Sequence, residues 1–411
     1  MKILLVTQYF WPENFRINDL AVDLQRKGHR VTVLTGQPNY PSGSFFDGYG
    51  SFKKTIEQWH GIKIIRAPLV PRGKGGGLRL FINYFSFAVS GSLYGFLRAG
   101  RDFDVIFVHE PSPVTVGIPA ILMKKVTGAP ILFWVLDIWP ESVTAAGAVS
   151  HSWIISPLRQ ITRWIYSKCD RVLVQSMGFV EHTKGMGVQQ DRIRYFPSWA
   201  EELYYPIAPS AENSLDLPKG FRIMFAGNIG VAQDFGTILG AAEALKTHQH
   251  IKWIIIGDGR MLAWVRNEVH RRGLGHTVYL LGRHPVEKMP TYFAQADALL
   301  VSLKKEPIFS LTIPGKIQSY LACGKPVVAM LDGEGARIIR EANAGMTCPA
   351  EDIQGLAQTV VSLSQMDKKD LIAMGNNGRA YYEAHFDSAV LFPQLEQWMQ
   401  ELIIKENLNN E

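Results

Sequence analysis

Short, continuously apolar runs alternate with stretches of helical periodicity through both halves of this 411-residue sequence. Strands that are buried on both faces give such unbroken runs, because helices cover both sides of a parallel sheet. The runs are KILLV, VTVL, IKII, VIFV, ILFWV and RVLV in the first half, and RIMFAG, WIIIG, VYLL, ALLV and PVVAM in the second. This pattern predicts an α/β protein with two doubly wound, Rossmann-like domains.

A polar, proline-rich segment over residues 196–220 interrupts the alternation. We therefore predict a first domain over residues 1–200 and a second over residues 201–387. In open parallel sheets ligands bind at the carboxyl ends of the strands, so a site is expected in a cleft between the domains. Residues 388–411 are predicted to form a helix that caps the second domain or crosses back to the first. Its apolar stripe consists of Leu391, Leu395, Trp398 and Leu402.

The composition is that of a folded globular protein, with 47% hydrophobic residues. Three scattered cysteines, Cys169, Cys323 and Cys348, suggest neither a disulfide framework nor a zinc site. The start, MKILLVTQYFWPEN, has too short an apolar run for a secretory signal. The sequence therefore predicts a cytoplasmic protein.

Positive charge is concentrated in the first 200 residues, which hold 23 Lys and Arg against 13 Asp and Glu. Residues 58–101 contain no carboxylate and seven cations: Lys63, Arg66, Arg72, Lys74, Arg79, Arg98 and Arg101. No nucleic-acid recognition module accompanies them, so an anionic membrane surface is the predicted partner and nucleic acid is not.

An apolar segment over residues 81–97 lies within this acid-free region. It is at or below the short limit for a membrane span, and its basic flanks suit a helix that lies in the membrane interface. The alternative is a core helix with a solvated basic rim. The residues predicted for the membrane and acceptor face are Arg72, Lys74, Arg79, Phe81, Phe85 and Arg98.

Residues 306–330, EPIFSLTIPGKIQSYLACGKPVVAM, predict a loop, a helix opened by Pro314, and a buried strand. The amides at the start of a helix attract anions, and Lys316 adds a full positive charge there. The segment around Pro314, Gly315, Lys316 and Ile317 is thus a candidate diphosphate site, unless it is an ordinary strand–helix joint with a surface lysine.

Two other strand ends of the second half contain glycine turns. Gly227, Asn228 and Gly230 follow RIMFA, where a ligand could approach the backbone closely. Arg260 follows the turn after WIIIG, but a dinucleotide fingerprint there would need glycine where Leu262 stands.

A third turn, containing Gly282 and Arg283, could border a nucleotide base or be a simple exposed turn.

In the first half, His109 follows the strand VIFV and Asp137 follows ILFWV. Both are candidate catalytic residues, with Asp137 orienting reacting hydroxyls and His109 alternatively a core histidine.

Asp102 and Asp104 form a DxD pattern that metal-dependent sugar transferases use, but they precede the strand VIFV and are predicted to form a surface turn. No metal site is expected.

Taken in order, TQYFWPEN, GHRVTVLTG, FAGNIG, IIIGDGR, ADALLVSL and ACGKPVV resemble the retaining glycosyltransferases of family four, which have the GT-B fold. DIWPES and TIPGKIQSYLACGKPVV resemble the bacterial subgroup that builds O-antigen or capsule repeats, including L-fucosamine transferases. Two departures stand out. Leu311 and Ser319 occupy positions where many members have glutamates, and Asn228 and Gln233 stand where an arginine and a lysine are usual.

The resemblance implies a retaining transfer, without metal or other cofactor, from a nucleotide sugar such as UDP-N-acetylfucosamine to a polyprenyl-diphosphate-linked sugar. Such an enzyme would work on the cytoplasmic face of the inner membrane. Two alternatives remain open at this point. One is a nucleotide-sugar epimerase of the same fold, and the other is a non-enzymatic protein that binds partners through its basic surface.

Overall fold

The computed structural model describes residues 1–73, 76–145, 152–208 and 215–410. The chain forms two compact units, one of Met1–Pro197 with Phe392–Glu411 and one of Ser198–Leu391. The chain thus leaves the first unit three residues before the predicted boundary at residue 200, and its last stretch returns to that unit.

The first unit is built on a sheet of eight strands. They are β1 (Lys2–Thr7), β2 (Arg30–Gly36), β3 (Ile56–Trp59), β4 (Ile62–Ala67), β5 (Val105–Glu110), β6 (Ile131–Val135), β7 (Arg171–Val174) and β8 (Ile193–Tyr195). Their order is β3-β4-β2-β1-β5-β6-β7-β8, and only β3 runs antiparallel to its neighbour. The strand order reverses between β1 and β5, where a doubly wound sheet opens its ligand-binding crevice.

Six helices accompany this sheet in the described part of the unit before the last helix of the chain. They are α1 (Ile17–Arg26), α2 (Gly77–Tyr94), α3 (Gly117–Thr127), α4 (Glu141–Ala145), α5 (Ser152–Lys168) and α6 (Phe179–Gly185).

Helix α2 is longer than the apolar segment of residues 81–97 suggested, because it continues into a π-helical turn, Gly95–Ala99. By length and composition alone the 23 residues Gly77–Ala99 could cross a membrane, and 28% of the apolar window is buried. Its inner side is tied into the first unit, since the Asn83 side chain accepts a hydrogen bond from Gln8 Nε2 at 2.7 Å and donates one to the carbonyl of Val70 at 2.6 Å.

The second unit has a sheet of six parallel strands. They are β9 (Phe221–Ala226), β10 (Ile251–Ile256), β11 (Val278–Gly282), β12 (Ala298–Ser302), β13 (Val327–Met330) and β14 (Gly345–Cys348). Their order is β11-β10-β9-β12-β13-β14, which is the Rossmann order with its switch point between β9 and β12.

The helices of this unit bury apolar residues against both faces of the sheet. They are α7 (Phe235–Ala244), α8 (Leu262–Arg271), α9 (Met289–Ala294), α10 (Pro307–Leu311), α11 (Gly315–Ala322), α12 (Glu334–Glu341), α13 (Ile353–Ser364) and α14 (Lys368–His385).

A final helix, α15 (Ser388–Asn410), begins in the second unit and continues in the first. Its predicted apolar stripe is buried. Trp398 lies with its ring centroid 6.0 Å from that of Phe196, and Glu396 pairs with Lys27 Nζ at 2.5 Å and His29 Nε2 at 3.2 Å. Arg171 pairs with Glu401 at 2.9 Å.

The prediction of a two-domain α/β fold is confirmed, and each of the apolar runs named from the sequence lies on a strand. Among the described residues the sequence did not predict β3, β8 or β14. All three are edge strands. These three strands have only three or four residues each and carry polar residues or glycine, so they lack the continuous apolar run that marks a central parallel strand.

Candidate active site

The turn after β9 is the centre of the candidate site in the second unit. Gly227 has a φ of 134°, a conformation that suits glycine. Gly257, at the end of β10, packs directly against it, since a Cβ on Gly257 would lie 1.9 Å from the Gly227 carbonyl oxygen. The Gln233 side chain accepts a hydrogen bond from the Gly230 amide at 3.2 Å. The contacts of Gly257 and Gln233 therefore hold the backbone of the predicted Gly227–Gly230 turn in place at the switch point of the sheet.

Lys316 lies against this same turn. A Cβ on Gly227 would be 2.8 Å from Lys316 Cε and 3.2 Å from Lys316 Nζ. The ammonium also lies 3.5 Å from the ring centroid of Phe225, the residue two positions before the turn. The structure thus brings together the predicted diphosphate segment around Lys316 and the glycine turn that the sequence singled out for close approach of a ligand.

The lysine carries no ion pair within the described residues, and burial lowers its pKa to about 7. A cation with so little compensation would gain from an incoming anion. The turn and the lysine together are therefore a candidate site for a phosphate or diphosphate group.

The segment that presents Lys316 differs from the prediction in two places. Residues 306–312 were predicted as a loop, but they contain the short helix α10. Pro314 is the residue before α11, with ψ 130°, and Gly315 is the first helical residue. The extended ψ keeps Pro314 outside the helix. Pro314 therefore sets the direction in which the chain enters α11 and is not part of the first helical turn.

Tyr320 was missed by the sequence analysis. It lies one turn after Lys316 on α11, and its buried hydroxyl accepts a hydrogen bond from the Ala226 amide at 3.2 Å. This contact ties the helix to the end of β9. The only signal in the sequence was the spacing of four residues from Lys316, which places both side chains on one helix face.

Ile317 was predicted to contact the donor, and the structure does not place it there. Its side chain is fully buried, and its amide donates to the Pro314 carbonyl at 2.9 Å. Ile317 therefore packs the helix into the core.

The remaining donor-binding predictions lie on neighbouring turns. Asn228 is exposed beside the Gly227 turn, and Arg260 is exposed after β10. Gly282 has a φ of 75° at the end of β11, where its carbonyl accepts from the Gly257 amide at 2.8 Å, and Arg283 next to it is exposed. These groups are accessible on the same strand-end side of the sheet.

In the first unit, Asp137 lies two residues beyond β6 and lines a pocket of about 250 Å³. Burial raises the pKa of Asp137 to about 6, although the hydroxyls of Ser142 and Ser112 oppose the rise. Trp139 donates from Nε1 to Ser112 Oγ at 3.2 Å, which holds the loops after β5 and β6 together. A half-buried carboxylate among hydroxyls can orient the hydroxyl groups of a ligand.

His109 was predicted as a candidate catalytic residue, and the structure supports the alternative of a core histidine. It is 2% exposed, its Nδ1 lies 2.9 Å from Thr7 Oγ1, and it packs against the rings of Phe15 and Trp134. Burial lowers the pKa of His109 to about 3, so it stays neutral.

The next residue, Glu110, is fully buried, and neither carboxyl oxygen has a hydrogen-bond partner in the described part of the chain. Burial and the nearby Asp137 carboxylate raise the pKa of Glu110 well above its usual value. Glu110 thus favours its protonated form near Asp137, a feature that the sequence analysis did not single out.

Arg72 was predicted on the membrane face, but its guanidinium turns inward. It donates to the Tyr9 hydroxyl at 2.5 Å and lies 5.2 Å from the ring of Tyr40 and 6.0 Å from that of Tyr84. Lys74 lies outside the described residues.

Glu13, which the sequence analysis missed, holds together the loops that carry Tyr9 and Tyr40. The buried Glu13 carboxylate accepts hydrogen bonds from the amides of Asn39 at 2.8 Å, Tyr40 at 2.7 Å and Phe10 at 3.3 Å. Burial raises the pKa of Glu13 to about 7.

The outer side of α2 is an apolar surface with basic flanks. The large exposed side chains of α2 and of the π-helical turn after it are Leu78, Phe81, Ile82, Val89, Leu93, Phe96 and Leu97. Phe85 is half-buried beside Phe81, while Arg79 and Arg98 are exposed at the two ends.

Arg66, counted among the cations of this region, is wholly buried and pairs with Glu57. It therefore contributes nothing to the surface charge.

The described residues contain no group of three or more His, Cys, Asp or Glu side chains that could hold a metal ion. Asp102 of the DxD pattern is exposed and pairs with Lys2 at 2.6 Å and Arg30 at 2.8 Å. Asp104 accepts from the Lys2 amide at 2.6 Å. Both aspartates lie at the amino end of β5.

Comparison with known proteins agrees with this description. A "Glycosyl transferase 4-like domain" matches residues 14–199, and "Glycosyl transferases group 1" matches residues 220–366. "Probable glycosyltransferase WbjE" of Pseudomonas aeruginosa is 27% identical over 67% of this chain and 69% of its own length. WcaI of Escherichia coli strain K12, assigned by name to colanic acid biosynthesis, is 25% identical over 79% of this chain and 82% of its own.

Among solved structures, HepE of Anabaena in complex with UDP and glucose superposes with a TM-score of 0.68 at 16% identity, covering 97% of this chain and 99% of HepE. Two Rossmann-like units of this kind define the GT-B fold, and the chain is a glycosyltransferase. It belongs to the group 1 glycosyltransferases whose first domain is of the 4-like type.

Proposed function

We propose that this glycosyltransferase moves a sugar from a nucleotide sugar to a polyprenyl-diphosphate-linked sugar during the assembly of a surface polysaccharide such as O-antigen or capsule. The observation that carries the proposal is the position of Lys316 across the Gly227 turn at the switch point of the second unit. The first candidate donor is a UDP-sugar, with UDP-N-acetylfucosamine suggested by the resemblance in sequence.

Two comparisons support a nucleotide-sugar donor and a polysaccharide product. HepE, which shares the fold, is described in complex with UDP and glucose. WcaI is named for colanic acid biosynthesis.

The chemistry needs stabilisation of the diphosphate that leaves when the glycosidic bond forms. Lys316 and the amides at the start of α11 would supply it, because preorganised positive groups act where the negative charge develops. We propose that no metal is needed for this step.

The reaction is proposed to retain the anomeric configuration, with a donor phosphate oxygen taking the proton of the acceptor hydroxyl. In that scheme Asp137 orients the acceptor hydroxyl through hydrogen bonds and need not act as the base. Its pKa of about 6 keeps it mostly ionised at neutral pH, which suits an acceptor of hydroxyl hydrogen bonds.

The location is proposed to be the cytoplasmic face of the inner membrane. The exposed apolar side of α2 would enter the interface while Arg79, Arg98 and Arg101 attract anionic lipid. A lipid-linked acceptor would then reach the enzyme by diffusion in the membrane.

A transfer assay tests the proposal. The enzyme is given a panel of UDP- and GDP-sugars, a polyprenyl-diphosphate-linked sugar and excess chelator. A glycosylated lipid whose new linkage has the configuration of the donor is expected. Consumption of the nucleotide sugar without acceptor would instead indicate an epimerase or a hydrolase, and a requirement for added metal would overturn the metal-free scheme.

A further inference from the structure

The pocket beside Asp137 has an apolar wall that the reaction on a sugar hydroxyl does not require. Leu80, Phe81 and Phe85 of α2 form one side, and Leu158 of α5 contributes to the other. Because Leu158 is buried while Phe81 is 47% exposed, the wall extends from the interior to the outer surface of α2.

The rings of Phe81 and Phe85 lie 4.4 Å apart between these two regions. The pocket is therefore continuous with the exposed apolar side of the helix. A hydrocarbon chain could pass from that surface into the pocket without crossing a polar barrier.

Arg72 gives the same pocket a positive charge. In the described residues its guanidinium has no carboxylate partner, although three tyrosine rings surround it and the Tyr9 hydroxyl accepts one of its hydrogen bonds. Its backbone is also held, since the Arg72 amide donates to Asn39 Oδ1 at 3.0 Å. A guanidinium that is fixed in place, half-buried and without a carboxylate favours a phosphate, which it can bind through two parallel hydrogen bonds.

Asp137 lies in the pocket as well, and its carboxylate would repel an anion. Arg72 is not among the groups that shift the pKa of Asp137, whereas the hydroxyls of Ser112 and Ser142 are, so the two charges face different parts of the pocket. An anion is thus favoured at the Arg72 end and hydroxyl groups at the Asp137 end. The apolar wall of α2 borders both.

We infer that this pocket binds the start of the prenyl chain of the acceptor, with Arg72 holding the diphosphate that joins the chain to the sugar. The inference rests on the proposed function, and it assigns the recognised part of the lipid to one place in the first unit. A cavity of 150 Å³ accepts benzene, so about 250 Å³ has room for one or two five-carbon isoprene units. The rest of the chain would lie along the exposed side of α2.

Soluble acceptor analogues test the inference without membranes or detergent. The same sugar is attached through diphosphate to a methyl group or to a ten-carbon geranyl group, and kcat/KM is measured with a fixed donor. We expect the geranyl analogue to be better by at least about tenfold, since each buried methylene adds to the affinity. Equal kcat/KM for the two analogues would overturn the inference.

Variants locate the effect in the pocket. Leu80→Trp should bring the kcat/KM of the geranyl analogue down towards that of the methyl analogue, because the larger ring occupies the chain's space. Phe85→Ala, which removes part of the wall, should also reduce the preference, and it serves if Leu80→Trp does not fold. Ile404→Trp, at an exposed apolar position of the same unit, should keep the full preference.

Arg72→Gln tests the anion end. It should raise the KM for the geranyl diphosphate sugar while changing the KM of an uncharged geranyl glycoside by less than about threefold. An equal rise for both acceptors would remove the diphosphate from this end of the pocket.

Two further outcomes are distinguishable. Competition by a short-chain phosphatidylglycerol, together with no preference between geranyl and methyl, would assign the pocket to membrane phospholipid and overturn the inference. If no sugar is transferred to any acceptor, the proposed function itself is wrong. If both analogues are used at the same rate, the proposed function holds and only the prenyl site is wrong.

Discussion

Lys316 occupies the space that a side chain at residue 227 would need, with its Cε 2.8 Å from the position of a Cβ on Gly227. The two residues come from separate segments, since Lys316 lies at the start of α11 and Gly227 directly follows β9. The lysine can therefore lie on the turn only because residue 227 is glycine. This dependence allows each partner to be tested separately.

Replacing Lys316 by alanine should lower kcat by a factor of about 10² to 10³, or about 2–4 kcal/mol in the barrier, because it removes a charge that meets the leaving diphosphate. Steady-state kinetics with a fixed acceptor measure the change. Lys369→Ala removes a lysine at an exposed position of α14 and should leave kcat unaltered. Normal turnover by Lys316→Ala would show that the lysine does not stabilise the transition state.

Gly227→Ala should weaken nucleotide-sugar binding even though Lys316 is retained. The new Cβ displaces the lysine, and the φ of 134° costs an alanine about 1–3 kcal/mol. Calorimetric titration and thermal unfolding measure the two effects. Gly275→Ala is a matched control, because nothing lies within 4 Å of its Cβ and its φ is not in the left-handed region. Unchanged affinity in Gly227→Ala would contradict the site.

Nucleotide-sugar binding should weaken as the pH rises through 7. Burial lowers the pKa of Lys316 to about 7 in the free protein, and a bound diphosphate would raise it. Affinity should therefore be nearly constant below pH 6 and fall by up to tenfold per pH unit above 7. Titration with an intact UDP-sugar avoids the terminal phosphate of UDP, which itself ionises near pH 6. Lys316→Ala should lose this dependence, and a flat wild-type profile would refute the coupling.

Binding to vesicles of phosphatidylglycerol should weaken with added salt and with Arg79→Gln and Arg98→Gln, by about fivefold for each charge. Leu93→Asp, at an exposed position of α2, should weaken it by about tenfold or more because it brings a charge into the interface. Vesicle sedimentation measures the affinities, with Ile372→Asp on an exposed position of α14 as the control. If phosphatidylcholine vesicles bind equally well, the basic residues have no part in the attachment.

Because of Glu13, the free energy of unfolding of the first unit should fall as the pH rises. Its pKa is raised from 4.5 to about 7 by burial, so the folded state holds a proton that the unfolded state has lost between those values. The free energy of unfolding should fall by up to about 3 kcal/mol between pH 4.5 and pH 8 on this account. Glu13→Gln keeps a carbonyl oxygen for the amides of Asn39 and Tyr40 and removes the charge. Urea unfolding of both proteins at pH 5 and pH 8 should show the smaller pH effect in the variant, and an equal effect would exclude Glu13 as its source.

The sequence predicts the fold well because the central strands of both sheets are wholly apolar. Leu4, Phe107 and Ile254, for example, are fully buried, and each lies in a run that the sequence marks clearly. The sequence also singles out Gly227 and Lys316, which the structure places in contact, because a glycine turn after a strand and a lysine at a helix start are both visible locally.

The acceptor side is harder to predict from sequence. Arg72, Tyr9 and Tyr40 come from three loops that only the folded unit brings together, and Arg72 resembles any other cation of a basic stretch. His109 and Asp137 both come after an apolar run in the sequence, yet His109 lies within β5 and is enclosed by aromatic rings, whereas Asp137 lies beyond β6 and lines a pocket. Loop packing decides the difference, and no local pattern records it.

The return of α15 to the first unit has a consequence for synthesis. A ribosome releases the chain from its amino end, and domains commonly fold in that order. Here the first unit lacks Leu395, Trp398 and Leu402 until after the whole of the second unit, Ser198–Leu391, has been synthesised. The unit that is begun first is therefore the one that is finished last.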